Sequence, residues 1–138
     1  MTVSGKCGHL FPGIPINEWP AHPENLSLKA VAAIENALEN NNKLYISVIT
    51  IIEIIYLVEK RKIPGKGLEM LMRNIRTPAS ELHVLPIDTH VAEELGSIPR
   101  EKIPDMPDRI IAAVAQHFNL PLITKDGKIT QAGIKVIW

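Results

Sequence analysis

Four acidic residues stand inside or beside segments that otherwise have the composition of a buried core. Glu53 interrupts the apolar run LYISVITIIEIIYLV, Asp105 and Asp108 open the segment DMPDRIIAAVAQHF, and Asp126 follows LPLIT. An isolated ionised carboxylate among aliphatic side chains is costly unless something compensates its charge. We therefore take these four acids as candidate site residues.

The chemistry open to such acids depends on whether they meet in the fold. Carboxylates crowded together repel one another and raise each other's pKa unless a cation holds them. Their hard oxygen atoms suit Mg²⁺ or Mn²⁺. These ions activate water and stabilise charge on phosphate oxygens, so that a phosphodiester bond is cut without a covalent intermediate. Convergent acids would thus indicate a metal-dependent hydrolase.

Each acid also has a purely structural interpretation. Glu53 could close a capping box with Thr50, at the three-residue spacing that this motif requires. Asp105 and Asp108 could complement the unpaired N–H groups and the dipole at a helix start. Asp126 could be an ordinary turn residue. These interpretations remain open at the level of single residues, and only convergence of the acids would favour catalysis.

The elements that must position the acids alternate between helix and strand. Apolar periodicity, helix caps and Pro or Gly residues at element ends predict a first helix capped by Ser27. After it they predict the order strand, helix, helix, strand, helix, helix, strand, strand. Asp88 is predicted to cap a helix, and Pro107 is predicted to begin one. This alternation indicates an α/β fold with a mostly parallel sheet covered on both faces. Because ligands bind beyond the carboxyl ends of such strands, we expect the four acids at one edge.

Length and charge narrow the class of protein. The 138 residues, 46% of them hydrophobic, predict one globular domain over 1–138. The proline-rich residues 1–25 are predicted to be irregular. With 15 basic and 15 acidic residues, no overall positive field attracts nucleic acid, so RNA contact would need a local patch. The basic run Lys60, Arg61, Lys62 and Lys66 suits RNA phosphates, although an ordinary solvated face would have the same composition.

Several other classes are disfavoured. The lone Cys7 cannot form an internal disulfide, so we expect a reducing, cytoplasmic location. The most apolar run is too short for a membrane span and contains Glu53, so no membrane association is expected. The five His residues lack metal-ligand spacing, and no nucleotide-binding glycine loop is present. A small-molecule phosphatase would need an aspartyl nucleophile after the first strand, and none is visible.

Two segments resemble a known family. YISVITIIEIIYLVEKRKI and IPDMPDRIIAAVAQHFNLPLITKDGKI look like the PIN-domain family, and more narrowly the VapC-type toxins of bacterial toxin–antitoxin pairs. The resemblance implies a three-layer α/β sandwich with a mostly parallel central sheet. It also implies Mg²⁺- or Mn²⁺-dependent endoribonuclease activity on RNA, a cognate antitoxin and frequent homodimers.

The resemblance also assigns roles by position. Glu53, Asp108 and Asp126 would be the catalytic, metal-coordinating acids, and Asp105 would be an accessory catalytic acid. Thr124 would be the hydroxyl beside the site. Ser47 and Arg109, which stand beside the same motifs, would contact substrate with it.

The opening of the chain departs from the family. Members begin with a strand that ends in an aspartate, typically within Val-Asp-Thr-His, whereas this chain has no aspartate before Asp88. If Cys7-Gly8-His9 is encoded TGT GGA CAC, reading one base later begins Val-Asp-Thr. We therefore hypothesise that residues 7–20 are an out-of-frame translation. The alternative function is a catalytically impaired PIN-like module that dimerises or binds an antitoxin.

Overall fold

A computed structural model of the protein describes residues 27–40, 42–80, 82–124 and 126–138. The opening predicted to be irregular, and the segment hypothesised to be out of frame, lie outside this part. No helix in the described residues is long and apolar enough to cross a membrane. The elements follow in the order α1 Leu28–Glu39, β1 Leu44–Ser47, α2 Val48–Glu59, α3 Gly65–Arg76, β2 Leu82–Leu85, α4 Thr89–Ser97, α5 Met106–His117, β3 Leu122–Ile123, α6 Gly127–Gln131 and β4 Val136–Ile137.

The described strands form two parallel pairs. β1 pairs with β2, which places Leu44 opposite Leu82, and β3 pairs with β4, which places Leu122 opposite Val136. A parallel connection requires a crossover, and helices supply it between β1 and β2. The predicted parallel pairing is therefore confirmed.

Helices cover both faces of the strands. Neighbouring strand residues point to opposite faces, and Leu122 and Ile123 accordingly enter two different hydrophobic clusters. One cluster joins β1 to α1 and α3, through Ile46, Ile34 and Leu71 among others. The other is built mainly by α4 and α5. This layering of helices, strands and helices confirms the α/β class that the alternation of elements indicates.

Local caps begin several helices where the sequence predicts them. The Ser27 hydroxyl accepts a hydrogen bond from the Ala30 N–H at 3.1 Å, and the Asp88 carboxylate accepts one from the Val91 N–H at 3.0 Å. Both predicted caps are confirmed. Pro107 occupies the second position of α5 rather than the first, because Asp105 is the N-cap and the helix begins at Met106.

The predicted capping box at Thr50 is wrong. The N-cap of α2 is Ser47, whose hydroxyl accepts a hydrogen bond from the Ile49 N–H at 3.3 Å. The helix begins directly after β1, because Ser47 satisfies a free N–H group of the first turn. Thr50 lies three residues inside α2, so the capping box offers no explanation for Glu53.

Candidate active site

Three of the predicted site residues line one open groove. Thr124 and Asp126 follow the carboxyl end of β3, and Asp108 approaches them from the first turn of α5. The groove has a volume of about 630 Å³, and its other lining residues are Gly127, Lys128 and Gln131. Its position beyond a strand end is where open α/β sheets bind ligands. The fold therefore brings Asp108, Thr124 and Asp126 together as expected.

Asp126 holds the edge of this groove in place. Its Oδ1 accepts hydrogen bonds from the N–H groups of Lys128, at 2.8 Å, and Ile129, at 3.3 Å, and so caps α6. Its own N–H donates to the Thr124 hydroxyl at 3.1 Å. Both capping bonds use one carboxylate oxygen, which leaves Oδ2 without a hydrogen bond to the described residues. Asp126 is a helix cap that retains an oxygen for a ligand.

Asp108 is poorly stabilised as an anion. Burial raises its pKa, and the negative charges of Asp105 and Asp126 raise it further, while the Lys128 ammonium partly opposes them. Asp105 precedes α5 as its N-cap, yet its side chain makes no capping hydrogen bond. The helix-start interpretation therefore does not account for Asp108, because a carboxylate that only complemented a helix would be stabilised in its charged form.

Glu53 lies on α2 at a second groove of about 410 Å³. This groove is largely apolar and is lined by Ile52, Tyr56 and Met106 among others. Burial is the main cause that raises the pKa of Glu53, and the charge of Asp108 follows, with Asp105 adding to it. Glu53 is therefore electrostatically linked to the acids of α5, although it opens onto a different groove.

The four acids are linked through their charges, and together they are called the acid row. Asp108 is the common member, because its charge acts on Glu53 and the charge of Asp126 acts on Asp108. Within the described residues, no group of three or more His, Cys, Asp or Glu side chains is arranged to hold a metal ion. The donors nevertheless fit Mg²⁺ or Mn²⁺, because they are carboxylate oxygens whose mutual repulsion a divalent cation would relieve.

Two predicted substrate-binding residues have structural contacts of their own. Ser47 is 0% exposed and caps α2. Arg109 donates through Nε and Nη2 to the carbonyl of Ile98, at 3.0 and 2.8 Å, and through Nη2 to that of Leu95, at 3.1 Å. These bonds tie the end of α4 to the start of α5. Contact of Ser47 and Arg109 with substrate remains a prediction.

Sequence reasoning missed Lys128 and considered Thr50 only as a capping residue. Lys128 lines the groove of Asp126, and its ammonium group lowers the pKa of Asp108. The sequence feature that could have identified it is its position two residues after Asp126 in KDGK. Thr50 is 8% exposed, and its hydroxyl has no hydrogen-bond partner among the described residues. Its signal was a position one helical turn before Glu53.

Comparison with known proteins places this geometry in a family. The family model described as PIN domain matches residues 18–135, which is most of the chain. The chain belongs to the PIN domain family. This PIN domain resembles the crystal structure of FitAcB from Neisseria gonorrhoeae with a TM-score of 0.57 and 23% identity, over 81% of this chain and 85% of that one. That likeness concerns the fold.

A second solved structure resembles the PIN domain at slightly higher identity. It is a toxin-antitoxin complex from Klebsiella pneumoniae, with 26% identity and a TM-score of 0.54, over 81% of this chain and 84% of that chain. No curated protein matches the chain. The recognition of a PIN domain from two sequence segments is confirmed, and a neighbour from a toxin–antitoxin system is consistent with the toxin resemblance.

Proposed function

We propose that this PIN domain is a VapC-like toxin that hydrolyses RNA phosphodiester bonds as a Mg²⁺- or Mn²⁺-dependent endoribonuclease. Glu53, Asp108 and Asp126 would hold the ion, and Asp105 would be the accessory acid. The proposal is carried by Asp108 and Asp126, which line one groove beyond β3, together with the charge of Asp108 that acts on Glu53 at the neighbouring groove. Carboxyl groups whose pKa is raised by burial and by neighbouring charges are typical of functional sites.

Each residue of the row has a task in this proposal. A bound divalent ion would supply an activated water and neutralise charge on the phosphate. Asp126 offers Oδ2 from a rigid position, because Oδ1 is fixed by the cap of α6. Lys128 supplies a positive charge in the same groove, where a phosphate of the RNA backbone would be attracted. Thr124 lines that groove, so of the three residues predicted to contact substrate it is the best supported.

The apolar groove beside Glu53 supports an antitoxin as partner. Tyr56 is 57% exposed and Met106 is 66% exposed, and Ile52 and Leu57 are exposed beside them. Large apolar side chains gathered in one exposed groove favour contact with another protein. An antitoxin segment laid there would reach Glu53 and could block the acid row. A second copy of the chain, as in a homodimer, is the other candidate occupant.

The second candidate function is a catalytically impaired module that only binds its partner. The specific observation in its favour is the lack of a ready group of three ligands within the described residues, together with the absence of any aspartate before Asp88. In this reading the apolar groove keeps its role, whereas the acid row binds Mn²⁺ weakly or not at all.

Cleavage of a mixed RNA pool in the presence of Mn²⁺ separates the two functions. The chain is compared with Asp108→Asn and with the control Glu93→Gln, which changes an acid that is 81% exposed on α4. For the enzyme we expect cleavage by the chain and the control, and a loss of about 100-fold or more in Asp108→Asn. Equal traces of cleavage in all three proteins would instead support the binding module.

A further inference from the structure

The hydroxyl of Thr50 is buried without a partner. The residue is 8% exposed, and Oγ1 finds no hydrogen-bond partner among the residues that the structure describes. Nearly all buried polar side-chain atoms in proteins are hydrogen-bonded, and an unpaired buried hydroxyl destabilises the fold. The exception at Thr50 therefore calls for a reason.

Local structure does not supply that reason. Ser47 already caps α2, so Thr50 is not needed for the helix to begin. A threonine on a helix commonly donates its hydroxyl proton to a carbonyl one turn earlier, and Thr50 makes no such bond. Because the hydroxyl is buried and unpaired, a valine of the same shape should be tolerated better at this position than threonine. A group that is expected to lower the stability of the fold is commonly one kept for function.

Glu53 is the site residue one helical turn after Thr50. Thr50 precedes it by three positions on α2, a spacing that places two side chains beside each other on the surface of a helix. A hydroxyl rotates freely and can donate to a carboxylate. Carboxylates that bind metals are themselves commonly hydrogen-bonded by neighbours that fix their orientation.

We propose that Thr50 is a positioning residue, whose hydroxyl donates a hydrogen bond to the Glu53 carboxylate when that carboxylate binds a divalent cation. The inference rests on the proposed metal-dependent function and deepens it. In this state one carboxylate oxygen of Glu53 would hold the cation and the other would accept the hydrogen bond from Thr50. The partner of the buried hydroxyl is thus present only in the loaded site.

The test uses the full chain and three substitutions. Thr50→Val removes the hydroxyl and keeps the shape, whereas Thr50→Ser keeps the hydroxyl. Thr77→Val is the matched control, since the Thr77 hydroxyl is exposed and already donates to the Arg73 carbonyl at 2.8 Å. The temperature of unfolding is measured for each protein without divalent cation and over a Mn²⁺ titration, and RNA cleavage is measured beside it.

We expect Thr50→Val to unfold at a higher temperature than the unchanged chain when no cation is present. The same variant should bind Mn²⁺ about 10-fold more weakly, and Thr50→Ser should restore the affinity. Thr77→Val should leave Mn²⁺ affinity unchanged. A gain in stability together with a loss of affinity is the signature that a merely structural threonine would not produce.

Two results would overturn the role of Thr50 while leaving the enzyme intact. One is a lower unfolding temperature of Thr50→Val without cation, which would reveal a structural partner. The other is Mn²⁺ affinity equal to that of the unchanged chain. Failure of the proposed function would show in the unchanged chain, which would then neither bind Mn²⁺ nor cleave RNA. That result would overturn both proposals.

Discussion

The negative charge of Asp108 on α5 raises the pKa of Glu53 on α2, in addition to the larger rise that burial causes. The folded protein therefore holds a proton on Glu53 to higher pH than the unfolded chain does. The stabilising effect of this proton is complete below the unfolded pKa and is lost as the pH rises through the folded pKa. The Glu53 carboxylate consequently destabilises the fold at neutral pH when no cation is bound.

Glu53→Gln should therefore stabilise the cation-free protein at neutral pH. The expected gain in the free energy of unfolding is at most about 1 kcal/mol, because the partly exposed carboxylate is screened by solvent. Urea unfolding of both proteins between about pH 4 and pH 8 should show the difference growing with pH. A variant less stable than the unchanged chain at neutral pH would mean that the carboxylate has a stabilising partner.

Replacing Arg109 should weaken the junction between α4 and α5 and so lower the free energy of unfolding. Arg109→Lys loses the planar fork that reaches the carbonyls of Leu95 and Ile98, and an ammonium group cannot reproduce it. We expect a loss of about 1.5–3 kcal/mol in the free energy of unfolding, as for hydrogen bonds to a charged group. Arg100→Lys, at an exposed position nearby, is the control. Equal stability of the two variants in urea would contradict the role assigned to Arg109.

Arg61 lies directly after the C-cap of α2, Lys60, in a backbone conformation that favours glycine. Its φ is 55°, and the Lys62 N–H donates to the Leu57 carbonyl at 2.8 Å, the bond that closes a helix end of this type. Arg61→Gly should raise the free energy of unfolding by about 1 kcal/mol, because glycine has no Cβ to strain. Asn119→Gly, at φ 51°, is the matched control and should gain less, since asparagine tolerates this conformation.

The same Arg61 variant also tests the basic run as an RNA contact. If Arg61 binds a backbone phosphate, Arg61→Gly should bind RNA more weakly, and its affinity should depend less steeply on salt. Asn119→Gly should bind RNA as the unchanged chain does. An RNA affinity with the same salt dependence in all three proteins would identify the run as an ordinary solvated face.

A version of the chain whose opening is read in the alternative frame should be more stable and more active. In the described residues β1 pairs only with β2 and β3 only with β4, although most side chains of β1 and both side chains of β3 are buried. Buried strands with unpaired edges leave backbone groups in need of partners, so a further strand would satisfy them. An added aspartate would also complete the acid row.

Thermal unfolding and Mn²⁺-dependent RNA cleavage of the restored version check this expectation. Unchanged stability and unchanged cleavage would contradict it. Resequencing the locus tests the origin of the opening directly, because the out-of-frame hypothesis requires a single-base insertion or deletion that restores an aspartate-containing strand.

Local sequence determined the order of helices and strands, the caps at Ser27 and Asp88, and the places of the four acids along the chain. Such features depend on apolar periodicity and on hydrogen bonds between residues a few positions apart, which a single sequence displays. Two segments that resemble the family, around Glu53 and around Asp108, were also sufficient to indicate the PIN domain. Thr124 and Asp126 came together with Asp108 as expected, because all three belong to element ends at one sheet edge.

Only the tertiary structure decided how the acids are linked and which polar groups are already engaged. Spacing could not predict that Ser47 caps α2 or that the charge of Asp108 acts on Glu53. It also could not predict the carbonyl contacts of Arg109 or the unpaired hydroxyl of Thr50. Each depends on how α2, α4, α5 and the end of β3 pack together. Packing sets burial and the distance between charges for residues far apart in sequence, and these two quantities determine pKa and hydrogen bonding.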